Sequence, residues 1–284
     1  MRRPMRRILA ASLSALLLAA PASAGPVSDR VFRPDPLPAK LDWQGLPPPA
    51  EIAVTTDDGL TVRGYRWAAA CRPRAVMVYF HGNGGNRYDA ALHAAPLRRD
   101  DVDLIVADYR GYGDNPGAPD PDGLAADARA FTDLALATGA DKTYLFGFSL
   151  GGAVALRAAN ERPVDAFATL GAFTNVRDAA PKLARAFVPK WFDNRAEAAR
   201  LATPWLLMHG TKDETVDPSH GLELKEIAGD RVTHVNLTGA PHNILYDPIA
   251  ERLWSALDGL AKAEPTGASC RPRSDPPGKT PFAE

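Results

Sequence analysis

Cysteine is almost missing from this chain, with Cys71 and Cys270 the only two among 284 residues. Two sulfurs cannot build a disulfide-stapled small fold or a thiolate metal cage. An excess of either charge is missing too. The 33 Lys and Arg residues balance 34 Asp and Glu residues, with an isoelectric point near 6.6, so no global field draws nucleic acid or an acidic membrane. No internal repeat is present, and no cluster of histidines and carboxylates has metal-ligand spacing. Hydrophobic residues make up 45% of the chain, which is enough to build a core and excludes wholesale disorder.

The first residues read as an address rather than as structure. Arg2, Arg3, Arg6 and Arg7 precede an apolar run over 8–20, and Ala22-Ser23-Ala24 has the small-x-small form of a cleavage site. This predicts a signal peptide over 1–24, cut after Ala24, and hence a periplasmic or secreted protein. The run is too short to serve as a lasting membrane span. The paired arginines leave twin-arginine export open beside the ordinary secretory route. Export would expose Cys71 and Cys270 to an oxidising compartment, where they either pair or remain two unrelated surface thiols.

Residues 25–50 are proline-rich and predict an extended segment draped over the domain. Residues 51–56 and 60–67 alternate around Asp57-Asp58-Gly59, the pattern of a hairpin. Short apolar runs then follow at 75–80, 103–107, 143–146, 166–170, 205–208 and 231–237. Helical patterns occupy 89–99, 123–137, 150–162, 219–227 and 248–263. Strands alternating with helices predict an α/β fold, a doubly wound and mostly parallel sheet with antiparallel N-terminal strands. One domain is expected over 51–263, with a small helical cap at 171–203 and a flexible tail at 264–284. In such sheets ligands bind beyond the carboxyl ends of the strands.

One of those ends carries Gly147-Phe148-Ser149-Leu150-Gly151-Gly152 between a strand and a helix. The strained strand-to-helix turn of a Gly-x-Ser-x-Gly sequence presents its serine as a nucleophile, with small residues where strand and helix approach closely. A serine needs a base, and the base needs a group to orient it. His242 follows the last strand, and Asp213 follows the strand at 205–208, with Asp178 and Asp217 as alternative acids. His209, at the end of that same strand, reads as a brace for the Asp213 loop, while His93, His220 and His234 read as surface or packing residues. Acyl transfer also requires donors for an oxyanion. The backbone amide of Leu150 and that of Asn83, in His81-Gly82-Asn83-Gly84-Gly85-Asn86, are placed to supply them. The glycine-rich loop lacks the Gly-Lys-Ser/Thr and the acidic ribose partner that nucleotide binding would need.

These pieces, with Asp108-Tyr109-Arg110-Gly111-Tyr112-Gly113, His209-Gly210-Thr211-Lys212-Asp213 and Pro241-His242-Asn243, resemble the α/β-hydrolase superfamily. The resemblance is to its branch of dienelactone hydrolases, small bacterial esterases and depalmitoylating hydrolases, and it covers residues 51–262. It implies Ser149 as nucleophile, Asp213 as acid, His242 as base and the Asn83 and Leu150 amides as oxyanion hole. Two departures matter. Asn115 stands where many relatives carry serine, and the cysteine nucleophile of dienelactone hydrolases is absent.

The expected activity is therefore cleavage of a small-molecule carboxylic ester or thioester, with no metal and no organic cofactor. Tyr109, Trp191 and Phe192 are candidate walls of the acyl site, against the alternative that they pack into the body. A peptidase or amidase using the same three side chains, and a non-catalytic envelope binding module, are the competing readings.

Overall fold

The computed structural model describes residues 28–180 and 182–262. The expected signal peptide, the tail and Cys270 lie outside the described residues. Cys71 is buried.

Eight strands form one sheet: β1 (Ala50–Thr55), β2 (Thr61–Trp67), β3 (Ala75–Phe80), β4 (Val102–Ala107), β5 (Lys142–Phe148), β6 (Ala166–Leu170), β7 (Trp205–Gly210) and β8 (Val232–Leu237). Their order is β8-β7-β6-β5-β3-β4-β2-β1. β2 is antiparallel to both β1 and β4, and every other pairing is parallel. β3, β4, β6 and β7 are buried at every position. Helices cover both faces there, which is why these strands read as continuous apolar runs without alternation.

The helices are α1 (Ser28–Val31), α2 (Arg87–Ala94), α3 (Pro121–Leu136), α4 (Leu150–Glu161), α5 (Val176–Ala179), α6 (Asn194–Ala199), α7 (Ser219–Ala228) and α8 (Ala250–Leu260). One core packs Leu124, Phe131, Val154 and Leu224 from α3, α4 and α7 against Val78, Leu145 and Leu207. On the opposite face, Ala91, Leu253, Trp254 and Leu257 from α2 and α8 meet Met77, Phe146 and Met208. Asp120 caps α3 by accepting from the Asp122 and Gly123 amides at 3.0 Å, and Pro121 occupies the first turn. α2 stops earlier than its periodicity suggests. Pro96 has no amide to continue the ladder, and the chain tightens into a 3-10 turn over Ala95–Leu97.

Among its described residues, the N-terminal segment opens with the helical turn of α1 rather than extended chain. Arg33–Pro34 then pairs in parallel with Gly84–Gly85. Further along, Trp43 packs edge-on against Tyr65, Trp67 and Tyr88, and the Trp67 Nε1–H donates to the Pro47 carbonyl at 2.8 Å. The cap is smaller than 171–203. α6 packs on α4 and α7 and belongs to the body, which leaves α5 and a 3-10 turn over Lys182–Phe187 above the sheet's carboxyl edge.

Candidate active site

Strand β5 ends at Phe148, and the chain turns sharply into α4. Ser149 sits at the bend with φ 52° and ψ −113°, a conformation that side-chain-bearing residues rarely adopt and that costs about 1–3 kcal/mol. Neighbouring glycines permit the turn. A β-carbon on Gly147 would lie 2.2 Å from the Gly151 carbonyl oxygen, and one on Gly151 would lie 2.0 Å from that of Phe80. Gly152 is different: a β-carbon there would make only an ordinary 3.5 Å contact with Thr169. Two glycines, not three, are dictated by space.

From β8 the chain runs through Gly239 to His242. The imidazole is buried and faces both partners at once: the Ser149 Oγ lies 3.0 Å from Nε2, and Nδ1 lies 2.6 Å from the Asp213 Oδ2. A carboxylate only accepts, so Nδ1 carries the proton and the Nε2 lone pair is left to accept from the serine hydroxyl. Asp213 itself is saturated with donors. Its Oδ1 accepts from the Thr215 and Val216 amides at 2.9 and 2.8 Å, and the His209 Nε2 approaches Oδ2 at 3.2 Å. Burial opposes ionisation, but the hydrogen bonds from His209, His242 and the Val216 amide outweigh it and hold this carboxyl well below the usual range.

The alternative acids have other roles. Asp178 pairs with Arg195 at 2.6 Å, and Asp217 accepts from the Ser219 amide at the start of α7. His220 bonds to Thr174. His93 lies within 2.8 Å of the Ile244 carbonyl and stacks on Tyr246, so it packs under the loop that carries His242. His209 braces its loop, as its position suggests, by reaching both Asp213 and the Val216 carbonyl. His234 on β8 is partly buried.

The loop after β3 lies against this site. A β-carbon on Gly82 would stand 3.8 Å from the Ser149 β-carbon. The Asn83 and Leu150 backbone N–H groups donate to no acceptor among the described residues, and both residues line the cavity that holds the Ser149 hydroxyl. Several contacts fix the loop from behind. The Asn83 carbonyl accepts from the Arg33 amide and the Tyr112 hydroxyl, both at 2.8 Å. His81 contacts the Asp108 carboxylate at 3.1 Å.

The cavity measures about 750 Å³. Its walls include Phe148 at the end of β5 and Phe173 beyond β6, Val176, Ala184, Phe187 and Val188 of the cap, and Val31 with Arg30 and Arg33 of the N-terminal segment. The three aromatic candidates are not among its lining residues. Tyr109 is fully buried and its hydroxyl donates to the His81 carbonyl at 2.8 Å. Trp191 stacks on Phe32 with ring centroids 5.7 Å apart, and Phe192 meets Phe32 and Phe173 edge-on. All three support the site from behind.

Sequence reasoning gave no packing role to two glycines. Gly171, after β6, has φ +67°, and a β-carbon there would lie 2.9 Å from the His242 Cε1. A β-carbon on Gly210, the last residue of β7, would lie 2.4 Å from the Ala240 carbonyl oxygen. Both stand at strand ends facing the loop that carries His242, which was the one signal available. Asn115, the residue that departs from the resemblance, mimics a strand: its amide bonds to both the backbone N–H and the carbonyl of Arg63, covering the half of β2 that β4 leaves unpaired.

Among the described residues there is no group of three or more His, Cys, Asp or Glu that could hold a metal ion, and no helix is long and apolar enough to cross a membrane. Residues 75–202 match the family model described as alpha/beta hydrolase fold. The chain is 30% identical over 223 residues to an uncharacterised protein of Mycobacterium tuberculosis, covering 75% of this chain and 79% of that one. It is 26% identical over 227 residues to the protein bem46 of Schizosaccharomyces pombe, covering 73% of each. A Pyrococcus furiosus esterase superposes with a TM-score of 0.62 at 16% identity, over 82% of this chain and 97% of the esterase.

Proposed function

Because this chain belongs to the α/β-hydrolase family, we propose that it is a serine hydrolase cleaving carboxylic esters or thioesters through an acyl-Ser149 intermediate. The observation that carries the reading is the continuous hydrogen-bonded line from the Ser149 Oγ through both nitrogens of His242 to Asp213. As the hydroxyl attacks the substrate carbonyl, Nε2 takes its proton, and the Asp213 carboxylate stabilises the resulting imidazolium. The carbonyl oxygen becomes an oxyanion to which the Asn83 and Leu150 amides would donate, each donor contributing about 3–4 kcal/mol to the barrier reduction. Collapse of the tetrahedral species expels the alcohol or thiol, which takes the proton back from Nε2. Water then repeats the sequence on the acyl-enzyme and frees the acid. These steps require no metal and no organic cofactor.

The apolar cavity walls favour a substrate with an apolar acyl group. The esterase relative supports an ester as the bond cleaved. Export is part of the same proposal, with mature protein starting at Gly25. The test is the rate on 4-nitrophenyl esters of increasing chain length, beside a matched thioester and an anilide, for the wild type and Ser149→Ala. Ester or thioester turnover that is lost in the variant is expected. Turnover that survives Ser149→Ala would overturn the mechanism, and a faster rate on the anilide would favour an amidase.

A further inference from the structure

The cavity that holds Ser149 is apolar on its cap side and cationic on the side of the N-terminal segment. Among the described residues, Arg30 and Arg33 line it, no aspartate or glutamate does, and the two guanidinium groups are its only fixed charges. Elsewhere in the protein arginines are mostly spoken for. Arg66, Arg74, Arg87, Arg110, Arg129 and Arg195 each pair with at least one carboxylate. The cap arginines Arg177 and Arg185 donate to backbone carbonyls. The side chains of Arg30 and Arg33 form no ion pair or hydrogen bond among the described residues, and both residues are exposed. Asp29 and Asp35 are the nearest carboxylates in sequence. They line a separate hollow that Arg33 also borders, and neither pairs with either arginine.

The segment that presents these arginines is held in place. The Arg33 amide donates to the Asn83 carbonyl, and the Asp35 amide donates to that of Gly85 at 2.9 Å. The Asn83 side-chain amide donates back to the Val31 carbonyl at 3.1 Å. Phe32, between the two arginines, is buried and stacks on Trp191 at the base of the cap. Two unpaired cations are thus carried on an anchored backbone beside the loop that offers the Asn83 amide. An anchored backbone leaves only the side-chain rotamers to be ordered when the two arginines engage a ligand.

We propose that Arg30 and Arg33 form an anion-recognition element, so that this hydrolase selects esters carrying a carboxylate or phosphate group while their apolar part fills the cap side of the cavity. The inference rests on the acyl-Ser149 reading and adds the charge of the substrate to it. A guanidinium matches a carboxylate or phosphate through paired N–H donors, and such bonds gain strength beside a low-dielectric wall. The anion can sit on the acyl side or the alcohol side of the scissile bond, and the two are separable by experiment.

The test compares kcat/KM for charge-matched substrate pairs. On the acyl side these are mono-4-nitrophenyl glutarate and 4-nitrophenyl pentanoate. On the alcohol side they are 4-butyryloxybenzoate and its methyl ester. The wild type is expected to favour the anionic member of at least one pair. Replacing both residues (Arg30→Gln with Arg33→Gln) should lower that anionic-to-neutral ratio about tenfold, the range of a charge-assisted hydrogen bond. Added salt should lower it in the wild type as well. No preference for either anionic ester, or a preference that survives the double replacement in protein of unchanged melting temperature, would overturn the proposal. Failure of the underlying reading is distinguishable, because Ser149→Ala would then leave hydrolysis of the neutral esters intact.

Discussion

Gly171 and His242 are in contact where only a glycine can stand: a β-carbon on Gly171 would lie 2.9 Å from the imidazole Cε1 and 3.1 Å from Nδ1. The residue lies 22 positions after Ser149 and outside the nucleophile motif, yet it stands against the base that rests between Ser149 and Asp213. Replacing Gly171 with Ala would push the ring out of line. Because misplacement of a reacting group by an ångström can cost about 100-fold, kcat should fall by about 10- to 100-fold with KM little changed. The φ of +67° adds a stability loss of about 1 kcal/mol. Steady-state kinetics with a thermal melt would check both, and an Ala variant with unchanged kcat would show that the ring tolerates displacement.

Strain at Ser149 predicts an opposite pairing of effects. Glycine accepts φ 52° without steric cost, so Ser149→Gly should relieve about 1–3 kcal/mol of strain while losing about 0.5–1 kcal/mol to chain entropy. The variant should melt about 2–4 °C above the wild type and have no esterase activity. Calorimetry decides the point, and a lower melting temperature would mean that the serine side chain supports the fold.

The aromatic residues behind the site should act on stability rather than on substrate binding. Tyr109→Phe removes the hydroxyl that holds the His81 carbonyl and should cost about 1 kcal/mol of stability. Trp191→Ala removes the stacking partner of Phe32 from a half-buried position and should cost about 1–3 kcal/mol. Denaturant melts would measure both. A large change in KM with stability intact would instead place these side chains against the substrate.

Asp213 gives a pH dependence of definite sign. Its carboxyl is held well below the usual range, so it binds protons less readily folded than unfolded. The stability it contributes is fully present above the unfolded value of about 3.9 and is lost as pH falls toward the folded one. Unfolding free energy should therefore drop more steeply below about pH 4 for the wild type than for Asp213→Asn. Equal slopes would contradict the bonding described for this carboxylate.

Much of this was legible in the sequence because two physical signals are local. Strands β3, β4, β6 and β7, buried on both faces, appear as unbroken apolar runs, while β1 and β2 were readable from the alternation of a hairpin. The serine, aspartate and histidine stand in loops directly after such runs, which is where a parallel sheet gathers its chemistry. The remainder depends on contacts distant in the chain. Trp191 and Phe192 face the body because Phe32, some 160 positions earlier, lies against them. Gly171 and Gly210 are single glycines, and only the folded approach of the His242 loop reveals what they permit. The helical turn of α1 was hidden among prolines that favour extended chain.

The measurement closest to the central claim is covalent: folded protein treated with an alkyl fluorophosphonate and mapped by peptide mass spectrometry. A single adduct on Ser149, formed in the wild type and strongly slowed in His242→Ala, is the predicted result. An unmodified Ser149 in folded wild-type protein, or labelling that proceeds equally without the imidazole, would contradict the account.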